Sequence, residues 1–142
     1  LLVSVVMFIN KFIKNKKINK SVKLHEDKLT TLHKKIEKII PLLTESEQKK
    51  ISKIKLQPAK KSYTIDKHHV HLCLINDSNK QYYEENTLIY VLLHEIAHIF
   101  CDEEGHTEKY MKIFKRLIEL ATKMKIYDPN IQLPKTYCGV KV

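Results

Sequence analysis

Residues Thr87 to Cys101 read T-L-I-Y-V-L-L-H-E-I-A-H-I-F-C, and apart from Thr87 and Tyr90 only His94, Glu95 and His98 break an apolar run. A helix of this composition is buried nearly all round. Placing a carboxylate and two imidazoles in its middle costs several kcal/mol unless each finds a partner. A metal ion is such a partner. Residues four apart on an α-helix differ by one turn and about 40°, so both imidazoles can point at one ion. Glu95 lies about 100° round from His94, close enough to reach a water beside that ion without ligating the ion itself. This is the His-Glu-x-x-His arrangement of zinc hydrolases, with His94 and His98 as ligands and Glu95 as general base. The competing reading is a core helix with satisfied polar groups, and three ionisable side chains at ligand spacing weigh against it.

A catalytic zinc takes three protein ligands and leaves a fourth position open. Downstream stand Asp102, Glu103, Glu104, Gly105, His106 and Glu108. Gly105 can end the helix and let the chain reverse, which would bring His106 back towards His98. His106 is the preferred third ligand; Glu108, Glu103 and Glu104 are the acidic alternatives. Tyr63, Tyr110 and Tyr137 are each candidates to donate to a developing oxyanion. His68, His69 and His71 form a second cluster, read as an exposed or substrate-facing strand surface rather than a second metal site.

The elements that must position these residues follow from periodicity. Leu29, Leu32, Ile36, Ile39, Ile40 and Leu43 fall at helical spacing within 24–43, with Pro41 ending or kinking that helix. Thr44 and Glu47 make a capping box, which predicts a second helix to about Leu56 with Ile51 and Ile54 inward. Tyr63 and Ile65, then Val70, Leu72 and Leu74, alternate around a turn at Asp66 to His68 and predict a hairpin. Asn86 is the expected N-cap of the motif helix. Met111, Ile113, Phe114, Leu117, Ile118, Leu120 and Ala121 form a core stripe on a helix from about Thr107 to Lys125. Helices flanking a hairpin make an α+β chain, and 142 residues suit one domain.

The net charge of +10 is unevenly placed. Lys11, Lys14, Lys16, Lys17, Lys20 and Lys23 precede the first acid, Glu26, so 24–142 carries only four of the ten excess charges. The domain itself is not strongly basic, and nucleic acid is not favoured as a partner. Residues 1–23 are read as an apolar and basic leader, and 24–142 as the domain proper. The run Leu1 to Ile9 spans about 14 Å, under half a bilayer core, yet with the lysines after it fits the cytoplasmic end of a membrane helix in a longer chain. Three cysteines without a Cys-x-x-Cys pair argue against a disulfide framework and for a reducing compartment on the cytoplasmic side, with Cys73 and Cys101 as buried small hydrophobes.

The runs L-I-Y-V-L-L-H-E-I-A-H at 88–98, G-H-T-E-K-Y at 105–110, I-Y-D-P at 126–129 and Y-C-G at 137–139 resemble the metallopeptidases encoded by large DNA viruses. These are similar to the SprT and WLM groups of small zincins, and the resemblance covers roughly 61–142. It implies a zincin-like fold of the minigluzincin type, a single domain with the active-site helix packed on a small antiparallel sheet or hairpin. It also implies zinc held by His94, His98 and His106, Glu95 as base, and a polypeptide substrate taken in extended form along the Val70–Leu74 strand. Relatives often carry an N-terminal hydrophobic anchor, in keeping with membrane association through the leader. Two departures narrow the match: eight residues separate His98 from His106, unlike the six of metzincins, and no cysteine set builds the zinc ribbon of SprT proteins. Three alternatives stand beside peptide hydrolysis: cleavage of DNA-bound proteins using the basic residues of the leader and of 49–61, a non-catalytic zinc-stabilised interaction module, and a membrane-tethered scaffold.

Overall fold

The computed structural model describes residues 2–141; Leu1, which opens the apolar run, and Val142 lie outside the described residues. The first 37 residues contain no Gly or Pro, and helix α1 (Leu2–Glu37) runs through them without a break. Its C-terminal third is the part that packs. Residues 9–24 are exposed, whereas Leu29, Leu32 and Ile36 are buried. The expected division near residue 23 is therefore a change in burial within one helix. Among the described residues no helix is long and apolar enough to cross a membrane.

Pro41 interrupts helical geometry, and the chain leaves through a 3-10 turn at Ile40–Leu42. The capping box then starts α2 (Glu45–Ile51): the Thr44 hydroxyl accepts from the Glu47 N–H, and a Glu47 carboxylate oxygen accepts from the Thr44 N–H. This helix stops at Ile51, short of the expected Leu56. Leu56 belongs instead to β1 (Lys55–Pro58), whose backbone pairs with a strand more than ten residues away.

The hairpin is present as β2 (Tyr63–Ile65) and β3 (His69–Leu72), in the register Tyr63 with His71, Thr64 with Val70 and Ile65 with His69. Asp66 and Lys67 both have positive φ, 54° and 58°, and form the tight two-residue turn whose twist suits a hairpin. The sheet is mixed rather than antiparallel, because β1 pairs with β3 in parallel, and its order is β1-β3-β2. The strand expected to take substrate is thus the central one. With β1 and β2 on its two sides, Val70–Leu72 has no free backbone edge, and β1 and β2 are the edge strands instead. Val70 and Leu72 face the core, while Tyr63 and Ile65 point outward and are 43% and 44% exposed.

After a small ribbon of β4 (Ile75–Asn76) and β5 (Gln81–Tyr82), α3 (Glu85–Phe100) crosses the inner face of the sheet. Its N-cap is Glu84 rather than Asn86, since the Asn86 side chain is bound to the backbone of Asp128 through both its amide nitrogen and its oxygen. Leu88, Ile89, Leu92, Leu93, Ile96 and Ala97 are almost fully buried, as an apolar helix requires. Helix α4 (Glu108–Lys123), capped by Thr107, packs on α3 through Tyr110, Phe114, Leu117 and Ala121. Met111, expected in that stripe, is half exposed. The chain ends with a hairpin of β6 (Thr136–Tyr137) and β7 (Val140–Lys141).

The cysteines also depart from expectation. Cys73 and Cys138, 65 residues apart with Cα atoms 6.4 Å from one another, form a disulfide, and Cys101 is free and buried. Cys73 is buried as anticipated, but not as a thiol. A reducing compartment, expected on the ground of unpaired cysteines, loses that support.

Candidate metal centre

Tyr90, His94 and His98 follow one another at four-residue steps on the face of α3 that is not fully buried. Helix α3 ends at Phe100, and the loop that follows returns the chain through Gly105, at φ 79°, a left-handed conformation that suits glycine. Two side-chain contacts set this loop: Lys109 Nζ donates to Asp102 Oδ1 at 2.6 Å, and Thr107 Oγ1 donates to Glu103 Oε1 at 2.8 Å. Glu108 faces Lys112 at 3.5 Å. Three of the acids considered as ligands or neighbours are thus engaged elsewhere, and His106 is the side chain delivered to the cluster.

His106 Nε2 lies 3.2 Å from His98 Nε2 and 3.2 Å from His94 Nε2. All three ligand atoms fall within 4.8 Å of one another, and this is the only such group of His, Cys, Asp and Glu among the described residues. Nitrogens bound at about 2.05 Å to one tetrahedral zinc stand about 3.3 Å apart, so the spacing fits a shared ion. The charge state fits as well. Burial, then the neighbouring His98 and His106, push the His94 pKa down to about 4, so at neutral pH its ring presents a lone pair rather than a positive charge. Burial, then His106 and the Lys67 amine, lower His98 too, against a smaller opposing effect of Glu104. Nitrogens converging on one point with their lone pairs free suit an electrophile between them, and the cluster can hold a metal.

Tyr110 is the wall behind these rings. It is completely buried, stacks on His98 at 4.2 Å between centroids and touches the edges of His94 and His106. Its hydroxyl donates to the His94 carbonyl at 3.0 Å, which removes it from the candidates for an oxyanion donor. Tyr137 is buried; its hydroxyl donates to the Cys73 carbonyl and lies 2.7 Å from Ser62 Oγ. Burial pushes its pKa up to about 12, so it stays protonated. Tyr63 stacks on His71 at 4.5 Å on the outer sheet face, with its ring at the cleft rim. His68 and His69 lie against each other in the same outer region and join no metal-holding group among the described residues.

Glu95 is 6% exposed and accepts a hydrogen bond from Thr64 Oγ1 at 2.7 Å. Burial raises its pKa, while the Thr64 hydroxyl and nearby His106 oppose the rise. Thr64 was not visible as a site residue in the sequence, because its role depends on β2 turning its polar position towards α3. Lys67 was also missed. From the hairpin turn its amine donates to the carbonyls of His98, at 2.8 Å, and Cys101, at 3.2 Å, capping the helix that carries the motif.

Two concavities meet at His94 and Glu95. One is an open cleft of about 550 Å³ between β2 and the 103–106 loop, which also reaches His98 and His106. The other is a cavity of about 300 Å³ bounded by Tyr90, Val91, Tyr137, Cys138 and Val140, with Lys61, Ser62 and Lys141 also in its lining.

The chain is similar to three viral proteins. Uncharacterized protein 136R of Invertebrate iridescent virus 6 is 44% identical over 90 residues, 62% of this chain and 51% of the relative. Uncharacterized protein 042R of Invertebrate iridescent virus 3 is 38% identical over 87 residues, 61% of this chain and 55% of the relative. Uncharacterized protein R325 of Acanthamoeba polyphaga mimivirus is 39% identical over 85 residues, 57% of this chain and 43% of the relative. The chain thus spans about half the length of these curated relatives. No protein-family model matches it, and no solved structure does either.

Proposed function

We propose that this chain is a zincin-like, zinc-dependent peptidase of the kind encoded by large DNA viruses, with His94, His98 and His106 holding the metal and Glu95 acting as general base. The observation that carries this reading is the convergence of three imidazole nitrogens beside a buried carboxylate, at the lip of an open cleft. Three nitrogen donors suit zinc, which supplies Lewis acidity towards a peptide carbonyl and lowers the pKa of water. Glu95 then takes the proton of the attacking water and delivers it to the departing amine. Thr64 holds Glu95 Oε2, which fixes the carboxylate and leaves its other oxygen for that proton. Among the tyrosines, the Tyr110 and Tyr137 hydroxyls already donate to the His94 and Cys73 carbonyls, which leaves Tyr63, on the cleft, as the oxyanion donor.

Substrate enters in extended form along β2, whose outer edge is unpaired and whose residues line the cleft with Ser62, Tyr63 and Thr64. Main-chain pairing of this kind favours flexible polypeptide over folded protein. The test is a proteomic cleavage assay with wild type and Glu95→Gln at matched zinc content. We expect Glu95→Gln to retain zinc and lose activity by about 10²-fold or more. Equal cleavage by both proteins would refute the assignment of the base, and wild type that holds no zinc would refute the metal site.

A further inference from the structure

We propose that the Cys73–Cys138 disulfide determines which substrate side chain the site selects, and that its reduction relaxes that selection. This rests on the peptidase reading above. The cavity of about 300 Å³ opens beside His94 and Glu95, within reach of a side chain next to the reacting carbonyl. Its floor is Tyr90 and Val91 from the rigid helix α3, and its far wall is Tyr137, Cys138 and Val140 from the terminal hairpin. An apolar lining of this size takes a large apolar or aromatic side chain.

The wall has few holds of its own. The β6–β7 ribbon is two residues per strand and pairs with nothing else in the sheets. Besides the disulfide it is tied by the buried Tyr137 ring, by the Tyr137 hydroxyl at Cys73 and Ser62, and by the Cys138 N–H donating to Tyr83 Oη at 2.8 Å. The Tyr137 hydroxyl bonds meet the Cys73 backbone or Ser62, which itself accepts from the Cys73 N–H, so they share the anchor that the disulfide makes covalent. Cys138 also sits at φ 46° and Gly139 at φ 81°, the tight hairpin turn. A left-handed conformation is natural for Gly139 but unfavourable for Cys138, and the disulfide opposes its relaxation.

The bond is placed to exchange. Cys73 is buried, whereas Cys138 is half-buried and lines the cavity, so Cys138 is the end of the bond that a small thiol would approach. A low-molecular-weight thiolate attacks that sulfur, giving a mixed disulfide on Cys138 and releasing Cys73 as thiolate, which takes up a proton. A second thiolate attacks the small thiol's sulfur in that mixed disulfide and expels Cys138 as thiolate, which is likewise protonated. Two small thiols are oxidised to their disulfide, and the protein gains two electrons and two protons. A side chain filling the cavity shields Cys138 from the first step, so substrate and reductant oppose each other.

The experiment compares the zinc-loaded protein, air-oxidised and after treatment with reduced glutathione, together with Cys138→Ser as a permanently open form. Hydrogen exchange is followed at 136–141 and in α3, and binding of a phenylalanine hydroxamate is measured against an alanine hydroxamate by calorimetry. On reduction we expect exchange at 136–141 to quicken about tenfold with α3 unchanged. The preference for the benzyl over the methyl side chain should fall about tenfold, with zinc content constant. Two free thiols at Cys73 and Cys138 in the air-oxidised protein, unchanged exchange at the hairpin, or equal preference in both states would each overturn the proposal. If Cys138→Ser fails to fold, the glutathione-treated wild type decides alone. Loss of hydroxamate binding and of peptide cleavage in both states would remove the peptidase reading, while the exchange comparison still judges the disulfide's hold on the wall.

Discussion

The carboxylate of Glu95 is pulled two ways. Burial lifts its pKa, and the 2.7 Å bond from Thr64 offsets part of that rise by favouring the ionised form. Thr64→Val keeps the shape of the side chain and removes the donor, so Glu95 should ionise at higher pH. We expect the acidic limb of the cleavage profile to move upward and the rate at neutral pH to fall about tenfold, with zinc content unchanged and Thr64→Ser restoring both. The imidazoles allow a second expectation. In the metal-free chain His94 titrates near 4, below its ordinary 6.5, and His98 is also lowered. The unfolded chain therefore binds protons first as pH falls, so the stabilising effect of these neutral rings is complete above 6.5 and is lost on acidification towards 4. Urea denaturation of metal-free protein at about pH 7 and about pH 5 should show the lower midpoint in the more acidic buffer. His94, Glu95 and His98 were legible because helical spacing and an apolar setting are local signals, and His106 was preferred over the neighbouring acids because Gly105 lets the chain reverse. Thr64 was not, since nothing near it in sequence announces that a carboxylate 31 residues later will face it.

Between elements, the tie from α2 to α4 is Arg116 donating to Glu47. Burial raises the Glu47 pKa, but the Arg116 hydrogen bond and charge, together with the Thr44 N–H, outweigh it and leave the group below the usual carboxylate value. Arg116 is partly open to solvent, which screens the pair, so Arg116→Leu should cost about 1 kcal/mol near neutral pH. A depressed carboxylate stabilises above its unfolded value of 4.5 and ceases to as pH falls through its folded value. The gap between wild type and variant in denaturant midpoints should accordingly close in acid. The Thr44 end of this tie was readable from the capping-box residues, and α4 from its apolar stripe. Strand β1 was not. Its Lys-rich sequence continues the pattern of α2, and only parallel pairing with β3 makes it a strand.

At the scale of the whole molecule, α1 is exposed all round from Ile9 to Leu24. Val6, Met7, Ile9, Phe12, Ile13, Ile18, Val22 and Leu24 are all at least 45% exposed, and firm burial begins at Leu29. Removing residues 1–23 should leave the thermal midpoint of the remainder within about 2 °C, because the core is assembled from Leu29 onward. The disulfide was illegible for a reason of the same scale: three cysteines carry no pairing code, and only the return of the terminal hairpin to the end of β3 selects Cys73 and Cys138. The order β1-β3-β2 also constrains how the chain assembles. The short turn closes β2 on β3 at a smaller entropic cost than the longer connection that brings β1 to β3, so we expect the β2–β3 ribbon to form first. On that expectation α3 docks against a strand pair whose alignment is already set, and Thr64 meets Glu95 only then.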